Sequence, residues 1–312
     1  MSTREPGAGM GVGLVLAASV LWGTTGTVAT FAPTVGPLAI GAAAMGVGGL
    51  LLGLSSARLV VASRRLLGAR KGTLFLGAAA VAIYPLAFYS SMYLAGVAVG
   101  TVVSIGSAPL AAALIERVFD GVRLTKRWMG GAGFGVAGAL VLCTAGSPSA
   151  AGEAVSNGRL LAGVGLGLVA GSTYALYSWA AHRLMKDGIG SRAAMGAVFG
   201  AGGLLLLPVL LITGAQLLES VSTAAVGTYM ALVPMFVGYL LFGWGLAKIG
   251  ATMATTVSLA EPVVAAILAV VIVGERLPVA GWAGMGMILA CLLVLAIPER
   301  RRRLVREALT VP

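Results

Sequence analysis

Residues 259–277 read LAEPVVAAILAVVIVGERL, and residues 107–124 read SAPLAAALIERVFDGVRL. The two stretches are copies of one segment, about 150 residues apart, and their relation decides the fold. Pro109 aligns with Pro262, and Gly121-Val122-Arg123-Leu124 with Gly274-Glu275-Arg276-Leu277. In the same register Gly131 and Gly133 meet Gly284 and Gly286, and Leu140-Val141-Leu142 meets Leu293-Val294-Leu295. Upstream, Leu94-Ala95 matches Leu246-Ala247 once one residue is inserted. Self-similarity that holds register over such a length marks a duplicated unit.

What each unit contains follows from charge. The 312 residues are 59% hydrophobic and only 10% charged, against roughly 25% charged in soluble domains. No charged residue lies between Glu5 and Arg58, nor between Lys71 and Glu116. Each gap accommodates two helices of about 20 residues, the length that crosses a bilayer. Ten spans are predicted, near Gly11 to Phe31, Pro37 to Leu54, Thr73 to Tyr93, Ala98 to Ile115 and Trp128 to Ala145. The second five run near Leu160 to Ala181, Ala193 to Thr213, Ala225 to Trp244, Ala251 to Val273 and Val279 to Ile297. The first apolar run leads directly into further spans and lacks a small-x-small cleavage site, so it reads as a membrane helix and not a signal peptide.

The expected fold is therefore an all-α membrane protein of ten transmembrane helices, arranged as two inverted five-helix repeats. Residues 1–146 form the first repeat, 147–158 an outer linker rich in Ser, Ala and Gly, 159–299 the second repeat, and 300–312 a basic tail. An odd number of spans per repeat turns the second upside down, the ground plan of secondary transporters.

The net charge of +11 carries an orientation and not a nucleic-acid partner. With the N-terminus inside, the inner loops take Arg58 to Lys71, Arg117 to Arg127, Arg183 to Arg192, Lys248 and the tail arginines, leaving only Arg159 and Arg276 outside. The positive-inside rule then predicts a plasma-membrane, multi-pass protein with both termini cytoplasmic. Cys143 and Cys291 occupy non-equivalent places in apolar runs, which gives no metal or disulfide spacing. No cofactor is expected. Glycines spaced by four at Gly49/Gly53, Gly131/Gly135, Gly163/Gly167, Gly167/Gly171 and Gly196/Gly200 read as close helix–helix seams, with a homodimer face as the alternative.

Leu259-Ala260-Glu261-Pro262-Val263, Gly274-Glu275-Arg276-Leu277 and the glycine-bearing last helix together resemble the EamA-type members of the drug/metabolite transporter superfamily. Leu21-Trp22-Gly23-Thr24 is similar to the family's first helix, and Tyr89 to Ser107 with Pro109 to its first-half segment. One departure is Val122, which stands where the second copy has Glu275. The resemblance implies two inverted repeats around a central cavity and an exporter or exchanger of small metabolites, often amino acids or their derivatives.

Within that frame Glu261 is the sharpest site residue, since a carboxylate midway along a span is costly unless neutralised or hydrated. Pro262 removes an amide hydrogen and loosens the same helix. Tyr84, Tyr174 and Tyr239 lie deep, where a phenol needs a partner or a wet cavity; Tyr89 and Tyr177 lie on the same spans. Trp22 and Thr24, and Ser104, Ser107, Thr255 and Ser258 on the proline-bearing spans with Pro109, complete the candidate pathway, the hydroxyls having their own helix carbonyls as the alternative partner. Trp128, Trp244 and Trp282 read as interfacial belt residues, Glu116 as a snorkelling or paired group, and His182 as an interfacial surface residue. No Gly-x-x-x-x-Gly-Lys-Ser/Thr loop is present, which excludes ATP-driven transport within this chain. A lone deep acid and one histidine supply no catalytic constellation, so an enzyme is not expected. The expectation is a secondary carrier of small metabolites, by alternating access and coupled to protons at Glu261. The alternatives are a multidrug-type exporter of lipophilic cations and a non-transporting membrane scaffold. Its partners are then a small-molecule substrate and membrane lipids.

Overall fold

The computed structural model describes residues 6–95, 97–146, 157–273 and 278–296, and every regular element among them is helical. Six helices are long and apolar enough to cross a membrane. They are α1 (Gly7–Ala29), α2 (Pro37–Ser55), α3 (Lys71–Ala95), α6 (Gly158–Lys186), α7 (Ser191–Leu218) and α8 (Val221–Val257). Between and after them lie α4 (Val97–Asp120), α5 (Lys126–Gly146), α9 (Ala260–Ile272) and α10 (Val279–Cys291). Two short helices, Ala57–Ala62 and Arg64–Ala69, join α2 to α3. Residues 147–156 and 297–312 and the Gly274-Glu275-Arg276-Leu277 motif lie outside the described residues, and α6 begins at the end of the predicted linker.

The sequence halves interleave. Helix α6 runs along α3 and α4, α7 along α2 and α3, α1 along α8, and α5 along α10. Each of these pairings joins residues before the linker to residues after it. In lipid no water is expelled between helices, so such contacts rely on close approach of small residues. A methyl group on Gly49 would stand 2.5 Å from the Phe199 carbonyl oxygen, and one on Gly53 would stand 3.0 Å from the Gly200 Cα. One on Gly163 would meet Ala95, beside a hydrogen bond from the Ser91 hydroxyl to the Gly163 carbonyl of 2.7 Å. These pairs are seams inside the bundle. Large apolar side chains such as Leu211 and Ile212 point outward, which suits hydrocarbon.

Two departures from regular helix face the interior. Residues Ala42–Val47 in α2 and Ala231–Val237 in α8 are π-helical, and the two stretches pack on each other. Pro234 inside the second removes one backbone donor, and a wider turn accommodates the loss. Helix α8 also breaks at Gly250, whose φ of 77° and ψ of 170° are non-helical. The turn at Ser258 and Leu259 then separates residue 257 from α9, so Glu261 sits in the first turn of a new helix and Pro262 follows it.

Candidate functional site

A small cavity forms where α1, α2, α3, α6, α8 and α9 converge. On α3 the face repeats at helical spacing: Tyr84 and Pro85, then Phe88 and Tyr89 one turn later. Tyr84 and Tyr89 stand 13 and 18 residues beyond Lys71, roughly 20 and 27 Å along the axis at 1.5 Å per residue. Tyr174 enters from α6, Tyr239 from α8, Trp22 from α1 and Glu261 from α9. These residues, with Tyr84 and Tyr89, are the part of the predicted pathway that the fold brings together.

Aromatic contacts and hydrogen bonds hold the wall in place. Trp22 lies with its ring centroid 4.9 Å from Tyr239 and 6.2 Å from Tyr174, edge-on to the latter. Its indole N–H donates to the Pro234 carbonyl at 2.9 Å. Trp22 therefore packs against α8 and also lines the cavity. The Tyr174 hydroxyl donates to the Ser258 hydroxyl at 3.0 Å, and the Tyr177 and Tyr239 hydroxyls share a bond of 2.7 Å. Such edge-to-face and tilted ring pairs stiffen a wall by about 0.5–1.5 kcal/mol each beyond their burial.

Glu261 is 8% exposed. Among the described residues its carboxyl group has neither an ion-pair partner nor a hydrogen bond, and no Lys, Arg or His lines the cavity. The Tyr84 and Tyr89 hydroxyls likewise make no bond to a described residue. The site thus offers one acid, two uncommitted phenols and a wall of rings.

Eight predicted residues do not line the cavity. Ser104 bonds to the Gly100 carbonyl, Ser107 to Ser104, Thr255 to Ala251 and Ser258 to Thr255, all within their own helices. Thr24 bonds to Leu21 and to the Tyr229 hydroxyl at 2.8 Å. Tyr177 supports the wall through Tyr239, while Pro109 and Pro262 are buried within α4 and α9. Conversely, Ala44, Met45 and Met235 line the cavity from the paired π-helical stretches, and Thr25, Pro85 and Phe88 from α1 and α3. In the sequence, Thr25 is signalled by its place beside Trp22 and Thr24, and Phe88 by its i, i+4 spacing from Tyr84.

A second polar group lies at the end of the bundle where Ser55, Arg70, Asp187 and Arg192 meet. Asp120, on the last turn of α4, accepts from the Trp179 indole at 3.1 Å and pairs with Arg183 and, at 3.6 Å, with Lys186. Glu116, one turn earlier, is 7% exposed. Its Oε1 accepts the Ala251 N–H at 3.0 Å and its Oε2 the Thr252 hydroxyl at 2.6 Å. Of the two readings of Glu116, the snorkelling one is corrected and a partnered group remains, because the carboxyl group satisfies a helix start that has just passed Gly250. His182 is also buried, at 9% exposure, close to the same point. Trp128 is no belt residue either: it is 8% exposed and its indole donates to Thr256 at 3.2 Å. Trp244 and Trp282 are 40% and 53% exposed.

The sequence profile of the EamA-like transporter family matches residues 9–144 and, a second time, residues 161–297. The chain belongs to the EamA-like transporter family. An uncharacterized transporter of Bacillus subtilis (strain 168), YwfM, is 32% identical over 296 residues, covering 94% of this chain and 96% of the relative. A probable terminal-alkyne amino-acid exporter of Streptantibioticus cattleyicolor is 27% identical over 208 residues, 66% of each chain. A solved crystal structure shares the fold with a TM-score of 0.73 at 19% identity, covering 96% of this chain and 99% of that one. This EamA-like chain is thus a multi-pass, all-α membrane transporter, and membership of a transporter family weighs against an enzyme.

Proposed function

We propose that this EamA-like transporter is a secondary carrier that exports or exchanges small metabolites, amino acids or their derivatives, by alternating access around Glu261. The observation that carries the reading is a buried carboxyl group facing a cavity with no cation among its described lining residues. An acid so placed is stable when it holds a proton or a cationic group of the solute, and exchanging one for the other couples the two movements. An ammonium group on Glu261 and a carboxylate accepting from Tyr84 and Tyr89 would suit an amino acid. The name of the Streptantibioticus relative agrees with that class.

The reading includes two inverted five-helix repeats, 1–146 and 159–299, with termini on the cytoplasmic side of a plasma membrane; the double family match and the placement of basic residues support it. Export of lipophilic cations is the second reading, favoured by the ring-lined wall and the absence of a lining cation, which suit cation–π contact. The test is flux in proteoliposomes under an imposed pH gradient. Glu261→Gln is expected to lose pH-driven transport by at least about tenfold, corresponding to 1.4 kcal/mol or more of coupling. Undiminished pH-driven flux in that variant removes Glu261 from the mechanism.

A further inference from the structure

The end of the bundle bearing Asp120 carries a feature that the cavity does not explain. Glu116 and Asp120 sit four residues apart on the last turn of α4, on one face of the helix. Each binds across the linker to the other half of the chain. Glu116 holds Ala251 and Thr252, while Asp120 holds Trp179, Arg183 and Lys186. One helix end therefore clasps two segments of the second half. The held helical segment starts after Gly250, whose φ of 77° breaks α8, and its Ala251 N–H donates to the Glu116 Oε1. The cavity residues Thr25, Pro85 and Tyr89 lie well away from this end along their helices.

We propose that Glu116 is a positioning residue for transport: its bonds to Ala251 and Thr252 form the releasable seal that closes the Asp120 end of the bundle. Opening the cavity to that side requires the α4 terminus to part from residues 250–252. The seal contains two hydrogen bonds to one carboxyl group, from the Ala251 N–H and the Thr252 hydroxyl, and both break together when the α4 terminus moves away. Asp120, with two cations and an indole, keeps α4 on α6 while Glu116 lets go. The proposal rests on the carrier reading for its purpose, but its test needs no solute.

Ser178 supplies the reporter. It lies on α6 between Tyr174 of the cavity and His182 of the seal, is 0% exposed, and its hydroxyl has no partner among the described residues. Ser178→Cys, in a chain whose Cys143 and Cys291 are replaced by Ala, is reacted in inside-out vesicles with a charged, impermeant methanethiosulfonate. Glu116→Gln and, separately, Thr252→Val are expected to raise the labelling rate, Glu116→Gln by about tenfold, the scale of one lost hydrogen bond to a charged group. Thr252→Ser, which keeps the hydroxyl, is expected to label at the parent rate. Because Thr252→Val alters the seal without touching the acid, a fold defect in the Glu116 variant leaves the result readable. Equal labelling in the parent, Glu116→Gln and Thr252→Val overturns the seal, even where Glu261→Gln abolishes pH-driven flux. A raised rate beside an unaffected Glu261→Gln variant sustains the seal and removes the coupling assignment.

Discussion

Glu261 and Glu116 are both buried acids, and their surroundings give them opposite tasks. Glu116 has its bonds from Ala251 and Thr252, so it is a fixed part of the structure in this state. Glu261 faces empty space with no protein donor among the described residues, so its charge has to be met by something that enters. The sequence made Glu261 legible because depth in an apolar span is a linear property of the chain. It hid Glu116, because the group it holds is 135 residues away and nothing local marks the contact. Trp128 was misplaced for the same reason, its partner Thr256 lying 128 residues on. At Gly250 a side chain would have to adopt a left-handed φ of 77° and would place its Cβ 3.6 Å from both Glu116 and His182. Gly250→Ala is expected to cost roughly 1–2 kcal/mol, seen as a lower thermal midpoint of the detergent-solubilised protein; an unchanged midpoint would mean that the turn relaxes freely. Tyr177→Phe leaves the Tyr239 hydroxyl without its 2.7 Å partner. It is expected to cost about 1 kcal/mol of stability by the same measurement, and to weaken transport less than Glu261→Gln does.

Among the elements, the glycine spacing was legible as seams, and the geometry separates the glycines that matter from those that do not. On the α2–α7 seam a methyl at Gly49 would press on the Phe199 carbonyl at 2.5 Å, a backbone atom that cannot step aside. Gly49→Ala is therefore expected to force the helices apart and to cut the yield of folded, monodisperse protein severalfold. Gly13 in α1 and Gly130 in α5 meet nothing within 4 Å. Gly13→Ala and Gly130→Ala are expected to be neutral or slightly stabilising, since Ala is the better helix former by about 1 kcal/mol in water. Chromatographic yield of the three variants checks both statements, and equal yields would show that the seam does not set the packing. The π-helical stretches were not legible. Ala44, Met45 and Met235 are ordinary apolar residues, and only the meeting of Ala42–Val47 with Ala231–Val237 turns them towards the cavity.

For the whole molecule, the gaps in charge made the apolar, all-helical character legible, and the sequence repeat suggested a division between halves. The way the halves interleave, with α1 on α8, α2 on α7, α3 on α6 and α5 on α10, was not legible, since helix partners in lipid are chosen by shape and not by hydropathy. The interleaving matters for the carrier reading because every main seam joins residues before the linker to residues after it. Among the described residues, polar ties between the halves lie at the two ends, with the Glu116 and Asp120 groups at one and bonds from Gly36 to Gln216 and from Ser222 to the Phe31 carbonyl at the other. They also lie between those ends, where the Trp22 indole donates to the Pro234 carbonyl and the Ser91 hydroxyl to the Gly163 carbonyl. A site between two such ends is what a carrier opening to one face at a time requires.

Solute counterflow in proteoliposomes tests that claim most directly, using an amino acid that cells bearing the protein release. Vesicles loaded with the unlabelled solute are diluted into a trace of the labelled one. The account predicts a transient accumulation of label above its final level, dependent on the protein. Label that only rises to equilibrium, at a rate indifferent to the internal solute, would contradict a carrier that exchanges through one central site.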